Sequence, residues 1–231
     1  HASARKALAN TGFGRNSVRT VPAPGGRVDL AAPMAELEQI EGPVIVIANA
    51  GEVNTGQFDD IAAVSDLCAA HAGGAWLHVD GAFGLFAGAS PKLRHLIDGI
   101  ERADSVAADG HKWLNVPYDC GVAIVARPDV LEKVFGARPA YLIQADDGPS
   151  DPFARVPEFS LRARGVPVCA ALRPRGQRAV VGVGEGAAAG ARDRCVPPVS
   201  GTTDGTRHRT RPANAERQRS LAVYKGARNG S

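Results

Sequence analysis

The run Pro43-Val-Ile-Val-Ile-Ala-Asn49 most constrains the fold of this 231-residue chain. Its β-branched residues carry no polar face, which is the mark of a strand buried on both sides in a parallel sheet. The next segments of the chain keep to that pattern. Gly51 to Thr55 reads as a turn, and Phe58 to Ala72 has helical apolar spacing at Ile61, Val64, Leu67, Cys68 and Ala70. Gly73-Gly74 stops that helix. Ala75-Trp-Leu-His-Val-Asp80 is then a second strand ending on a carboxylate. Helical stretches around 91–102 lead to Ser105-Val-Ala-Ala, to a turn holding His111 and Lys112, to a strand at 121–126 and to a short helix at 128–135. Alternating strands and helices predict an α/β fold with a mainly parallel sheet flanked by helices. Functional residues in such sheets gather beyond the carboxyl ends of the strands, where Asp80 stands.

The chain divides at about Arg173. Residues 174–231 contain no Ile, Phe, Met or Trp and a single Leu, Leu221, and are dominated by Gly, Arg, Ala, Pro and Thr. Such a segment buries too little apolar surface to offset its chain entropy, so 174–231 is expected to be an irregular, disordered tail. The tail holds about +7 of charge and leaves residues 1–173 at about −4, so the overall +3 says little about nucleic acid. No aromatic residues interleave with its arginines to stack on bases, and no nucleic-acid partner is expected. No run of 18 apolar residues is present, and no membrane span is expected. Cys68, Cys120, Cys169 and Cys195 form no C-x-x-C pair, which fits a reducing cytoplasm and no metal site. His1 rather than Met opens the sequence, as expected of a piece of a longer reading frame.

Asp80 and Lys112 together suggest pyridoxal chemistry. A lysine that forms an imine must attack as the neutral amine, which favours a partly desolvated loop at a sheet edge. The pyridine nitrogen of pyridoxal 5'-phosphate must stay protonated to draw electrons, which requires a carboxylate held against it. Asp80 suits that task, and the small residues Gly81 and Ala82 leave room for a flat ring. Either residue alone has a plainer reading, Asp80 as a turn former and Lys112 as solvated surface. Their combination with Gly-Ala after the Asp and Trp113-Leu-Asn after the Lys is more specific.

Residues 1 to about 173 resemble the group II pyridoxal-phosphate-dependent decarboxylases, a family that includes aromatic-amino-acid, glutamate and histidine decarboxylases. The resemblance rests on His78-Val-Asp-Gly-Ala-Phe-Gly84, Asp109-Gly-His-Lys-Trp-Leu114 with Tyr118-Asp-Cys120, and Asn49-Ala-Gly-Glu-Val-Asn-Thr-Gly-Gln-Phe-Asp59. His1-Ala-Ser-Ala-Arg-Lys-Ala and Ser160-Leu-Arg-Ala-Arg-Gly165 extend it. It implies part of the large domain of an aspartate-aminotransferase-like fold (fold type I), with its seven-stranded type of sheet. It also implies decarboxylation of an L-amino acid and a homodimer. By resemblance, Lys112 would be the Schiff-base lysine, Asp80 the partner of the pyridine nitrogen, His1 the ring-stacking histidine and Ala82 the contact on the opposite ring face. His111 and Asp109 would lie at the cofactor, and Tyr141 would be the mobile-loop proton donor. Glu52 stands where the family commonly has Thr or Asn near the cofactor. A packed Tyr141 is the plainer alternative; Gln144 to Pro152 reads as a flexible loop beside it.

The family's first segment has no counterpart before His1, and its small C-terminal domain has none after Arg173. A frameshift would explain that change, since codons for Gly182-Val-Gly-Glu185 read one base later can encode Glu-Leu-Val-Arg. Two alternatives stay open: another pyridoxal-phosphate lyase or aminotransferase-like enzyme, because Asp and Lys are shared, and a catalytically inactive fragment.

Overall fold

The computed structural model describes residues 1–136, 152–173 and a strand at 219–225. Helix α1 (Ala2–Asn10) leads into strand β1 (Val18–Pro22), and α2 (Ala31–Glu38) into β2 (Val44–Asn49). Then come α3 (Ile61–Ala70), β3 (Ala75–Asp80), β4 (Ser105–Asp109), the one-turn helix α4 (Gly110–Trp113), β5 (Gly121–Val125), α5 (Pro128–Phe135) and α6 (Gly165–Leu172). Strand β6 (Arg219–Lys225) completes a six-stranded sheet of order β1-β6-β2-β3-β4-β5. Strands β2, β3 and β4 pair in parallel, β5 is antiparallel to β4, and β6 is antiparallel to both β1 and β2. Four of the six strands therefore run one way, the α/β arrangement expected.

In-register parallel pairing sorts the side chains cleanly, because a strand alternates faces with a period of two. Val44, Val46 and Ala48 of β2 align with Ala75, Leu77 and Val79 of β3, and Val79 with Val106 of β4. This face meets Ile61, Val64 and Cys68 of α3 to form the main core, where Val46 and Val79 are fully buried. Each such Val or Leu contributes roughly 1.5–3 kcal/mol from burial. Burial beside the charge of Asp104 pushes the Cys68 thiol up to about 12, which leaves it unreactive. The opposite face carries Ile45, Ile47 and Asn49, then Trp76, His78 and Asp80, then Ser105, Ala107 and Asp109. That face holds the site.

Several elements differ from the sequence expectation. Helix α3 begins at Ile61, not Phe58, because the Asp60 carboxylate caps it by accepting from the Ala63 N–H at 3.1 Å. The stretch 91–102 is not α-helical: it forms two short 3-10 turns, Arg94–Ile97 and Ile100–Arg102, parted by Gly99 at φ 87°. A side chain on Gly99 would strike the α3 backbone at Ala62, so glycine there sets how closely the two segments pack. His111 and Lys112 lie on α4 instead of in an open turn. The irregular tail expected from residue 174 does not extend to 219–225, where Ser220-Leu-Ala-Val-Tyr-Lys225, the tail's most apolar stretch, forms β6 between β1 and β2. Among the described residues no helix is long and apolar enough to cross a membrane.

Candidate functional site

The carboxyl ends of β2, β3 and β4 open on a cavity of about 880 Å³ bounded on another side by α1. Asp80 enters it from the last position of β3. Its Oδ1 accepts from the Ala82 N–H at 3.2 Å, which starts the turn and brings Ala82 and Phe83 onto the cavity wall. Backbone bonds brace this turn on both sides: the Gly81 N–H donates to the Ala107 carbonyl at 2.8 Å and the Gly84 N–H to the Ala50 carbonyl at 2.9 Å. A side chain at Gly84 would fall on that carbonyl and on the Phe58 ring, so only glycine lets the turns after β2 and β3 touch.

Lys112 reaches the cavity from α4, which starts directly at the end of β4. Its Nζ lies 2.8 Å from Asp109 Oδ2 and 4.0 Å from the centroid of the Phe83 ring. The ring is itself held edge-on to Trp113, at 6.5 Å and 78°. Lys112 is thus an amine with one carboxylate and one aromatic face as neighbours, about three-quarters withdrawn from solvent.

His1 lines the same cavity as the N-cap of α1, its Nδ1 accepting from the Ser3 N–H at 3.3 Å. Glu52 also lines it, but its carboxylate is engaged within its own turn. It accepts from the Asn54 N–H at 2.9 Å, Asn54 Nδ2 at 2.6 Å, the Thr55 N–H at 2.9 Å and the Thr55 hydroxyl at 3.1 Å.

His111 is not among the lining residues. Its Nδ1 is 3.1 Å from both the nitrogen and the carbonyl oxygen of Cys120, and its ring lies 4.3 Å from that of Tyr118. Its Nδ1 thus meets one donor and one acceptor of the same backbone residue, and its Nε2 faces Asp109 Oδ2 at 3.9 Å. His111 therefore meets the site through Asp109. Tyr141 lies outside the described residues.

The structure thus brings Asp80, Lys112, His1, Ala82, Asp109 and Glu52 to one cavity. Sequence reasoning missed Asn49, Trp76, His78, Phe83 and Ser105, which line it too. For Trp76 and His78 the signal was present, since both stand on the face of Asp80 by strand alternation. Ser105 depended on the register between β3 and β4.

Asp59 was missed as well, and its work is structural. Its buried carboxylate accepts from the Val28 N–H at 3.0 Å and the Asn49 N–H at 2.8 Å, tying the end of β2 to the segment before α2. Burial pushes this carboxyl up, and those N–H donors pull it partly back.

The Asp80 carboxylate, the Lys112 amine and the His1 imidazole around a cavity with the small Ala82 at its wall fit the ring and the aldehyde carbon of pyridoxal phosphate. The sequence profile described as the pyridoxal-dependent decarboxylase conserved domain matches residues 1–169. Human cysteine sulfinic acid decarboxylase is 39% identical over 153 residues, 63% of this chain and 30% of that protein. The aromatic-L-amino-acid decarboxylase of Bacillus atrophaeus is 42% identical over 100 residues, 43% of this chain and 20% of that protein. Among solved structures, mouse CSAD in apo form aligns over 78% of this chain and 39% of its own, with TM-score 0.68 and 29% identity. Oryza sativa TDC with PLP and tryptamine aligns over 79% and 39%, with TM-score 0.71 and 27% identity. The chain spans about 30% of the length of the curated relatives it matches first.

Proposed function

We propose that this chain, which belongs to the pyridoxal-dependent decarboxylase family, carries the cofactor-holding part of a site that removes the carboxylate of an L-amino acid. The observation that supports this most is the meeting of Asp80 from β3 with Lys112 from α4 in one cavity, beside His1 and Ala82. Asp80 would hold the proton on the pyridine nitrogen, its orientation fixed by the bond from Ala82. Lys112 would anchor the aldehyde carbon. To attack, its Nζ must give up a proton and leave Asp109 Oδ2, which holds it at 2.8 Å. His1 and Ala82 would bound the two ring faces. When bound, pyridoxal phosphate supplies an electron sink for the bond to the departing carbon dioxide. The chain's part is to orient the reacting groups and hold charge in place.

Asp80 and Lys112 are equally suited to a transaminase; the identity to decarboxylases favours carbon dioxide loss. The residue expected to discriminate, Tyr141, would return a proton to the substrate carbon, and a Tyr141→Phe change should then divert the reaction. A homodimer and a reducing, cytoplasmic setting belong to the same proposal, the latter in keeping with the free thiols of Cys68, Cys120 and Cys169.

The test is to mix the purified chain with pyridoxal phosphate and follow the visible absorbance band of the bound cofactor. The band is expected in the wild type and lost in Lys112→Ala. If the wild type forms no band, or Lys112→Ala keeps it, the proposal fails and the chain is an inactive product. Release of labelled carbon dioxide from carboxyl-labelled amino acids then tests the reaction itself.

A further inference from the structure

On the cavity face of β3, two residues before Asp80, a polar chain runs from Trp76 through Ser105 to His78. The Trp76 indole nitrogen lies 2.8 Å from Ser105 Oγ, and His78 Nδ1 lies 2.8 Å from the same oxygen. An indole N–H can only donate, so Ser105 Oγ accepts from Trp76. The hydroxyl's own proton is then free to reach Nδ1 of His78. A neutral imidazole that accepts at Nδ1 carries its proton on Nε2, at the tip of the side chain. His78 and Asp80 leave the strand on the same face with backbones about 7 Å apart, and both line the cavity. Burial pushes the imidazole down, toward the neutral form, while the charge of Asp80 pulls it partly back up. The other titratable groups lining the cavity are Asp109 on β4, Lys112 on α4, Glu52 after β2, and His1 with Arg5 at α1.

We propose that His78 is a positioning residue for Asp80. Its imidazole, fixed by the Trp76–Ser105 chain on the same strand face and cavity wall as Asp80, sets the charge surroundings in which that carboxylate meets the cofactor nitrogen. The inference rests on the cofactor reading for its purpose, but its geometry does not need the cofactor.

The test uses the full chain labelled with 15N-histidine, without cofactor, with His78→Gln to identify the resonance. The wild type should show an unprotonated Nδ1 and a proton on Nε2. Trp76→Phe should raise the share of the Nδ1–H form, because the hydroxyl loses the donor that orients it. Asp80→Asn should lower the protonation constant of His78 by about three- to tenfold, since the carboxylate is what favours the imidazolium. A wild type with its proton on Nδ1, or a titration unchanged in Asp80→Asn, overturns the proposal. Ser105→Ala is a second removal of the chain, and if it fails to fold Trp76→Phe decides. None of these readings needs the visible band, so a chain that binds no pyridoxal phosphate sinks the functional reading alone. Where the band forms, His78→Phe should shift the pH at which it half-forms; an unchanged profile sinks the positioning role.

Discussion

Lys112 Nζ sits 2.8 Å from Oδ2 of Asp109, the residue that begins its own helix three positions earlier. That contact must break before the amine can bond carbon. Asp109→Asn removes the charge that holds the ammonium and repels the cofactor's phosphate, so the visible band should rise several-fold faster at neutral pH. Stopped-flow absorbance measures this. A slower rise would show that Asp109 is needed as the proton acceptor.

His111→Gln should slow formation of the band only modestly, while His111→Phe should slow it more. Glutamine can still accept from the Cys120 N–H and donate toward Asp109, whereas phenylalanine keeps the ring contact with Tyr118 but neither polar bond. Equal effects of the two changes in the absorbance assay would contradict a polar role for His111.

The Asp59 carboxylate is predicted to matter for stability. Asp59→Asn turns one acceptor oxygen into a donor facing a backbone N–H, which should cost about 1–3 kcal/mol in urea unfolding at neutral pH. The pH dependence has a definite sign. Burial raises this carboxyl above its ordinary 3.8, so the folded chain binds the proton more tightly than the unfolded chain. Its contribution therefore falls as pH rises through the window above 3.8, and Asp59→Asn should lack that part of the slope.

Asp119 tethers the segment before α6 to the loop after α4. It bonds Arg164 Nη2 at 2.9 Å and Arg162 Nη2. The bond from Arg164, with both guanidinium charges, holds its carboxyl down at about 2. Because its ordinary value is 3.8, the tether is complete above that pH and is lost as pH falls toward about 2. The group is exposed, so salt should screen it. Trypsin should cut after Arg162 and Arg164 faster in Asp119→Asn, and faster in the wild type at high salt. Equal cleavage throughout would mean that Asp119 restrains nothing.

Gly84→Ala should destabilise the chain by about 1–3 kcal/mol, since the added methyl has the Ala50 carbonyl and the Phe58 ring in its place. Thermal unfolding would report it. A fully stable variant would mean that the turns after β2 and β3 are free to separate.

The sequence by itself determined β2, β3 and β5, but neither β1 nor β6. Val44–Asn49 and Ala75–Asp80 are legible because β-branched apolar runs have few other ways to be buried, and Asp80 and Lys112 are legible because their neighbours are small or aromatic at fixed spacing. The tertiary structure alone decided what depends on register and on contacts distant in sequence. Parallel pairing of His78 with Ser105 created the Trp76–Ser105–His78 chain across 27 to 29 residues. Burial of Asp59 joined residues 10 and 31 positions away. Tertiary contacts also turned His111 toward Cys120, and the turn after β2 committed Glu52 to its own backbone. The physical reason is that local propensity acts within a few residues, whereas hydrogen-bond partners and burial are settled only when the sheet closes.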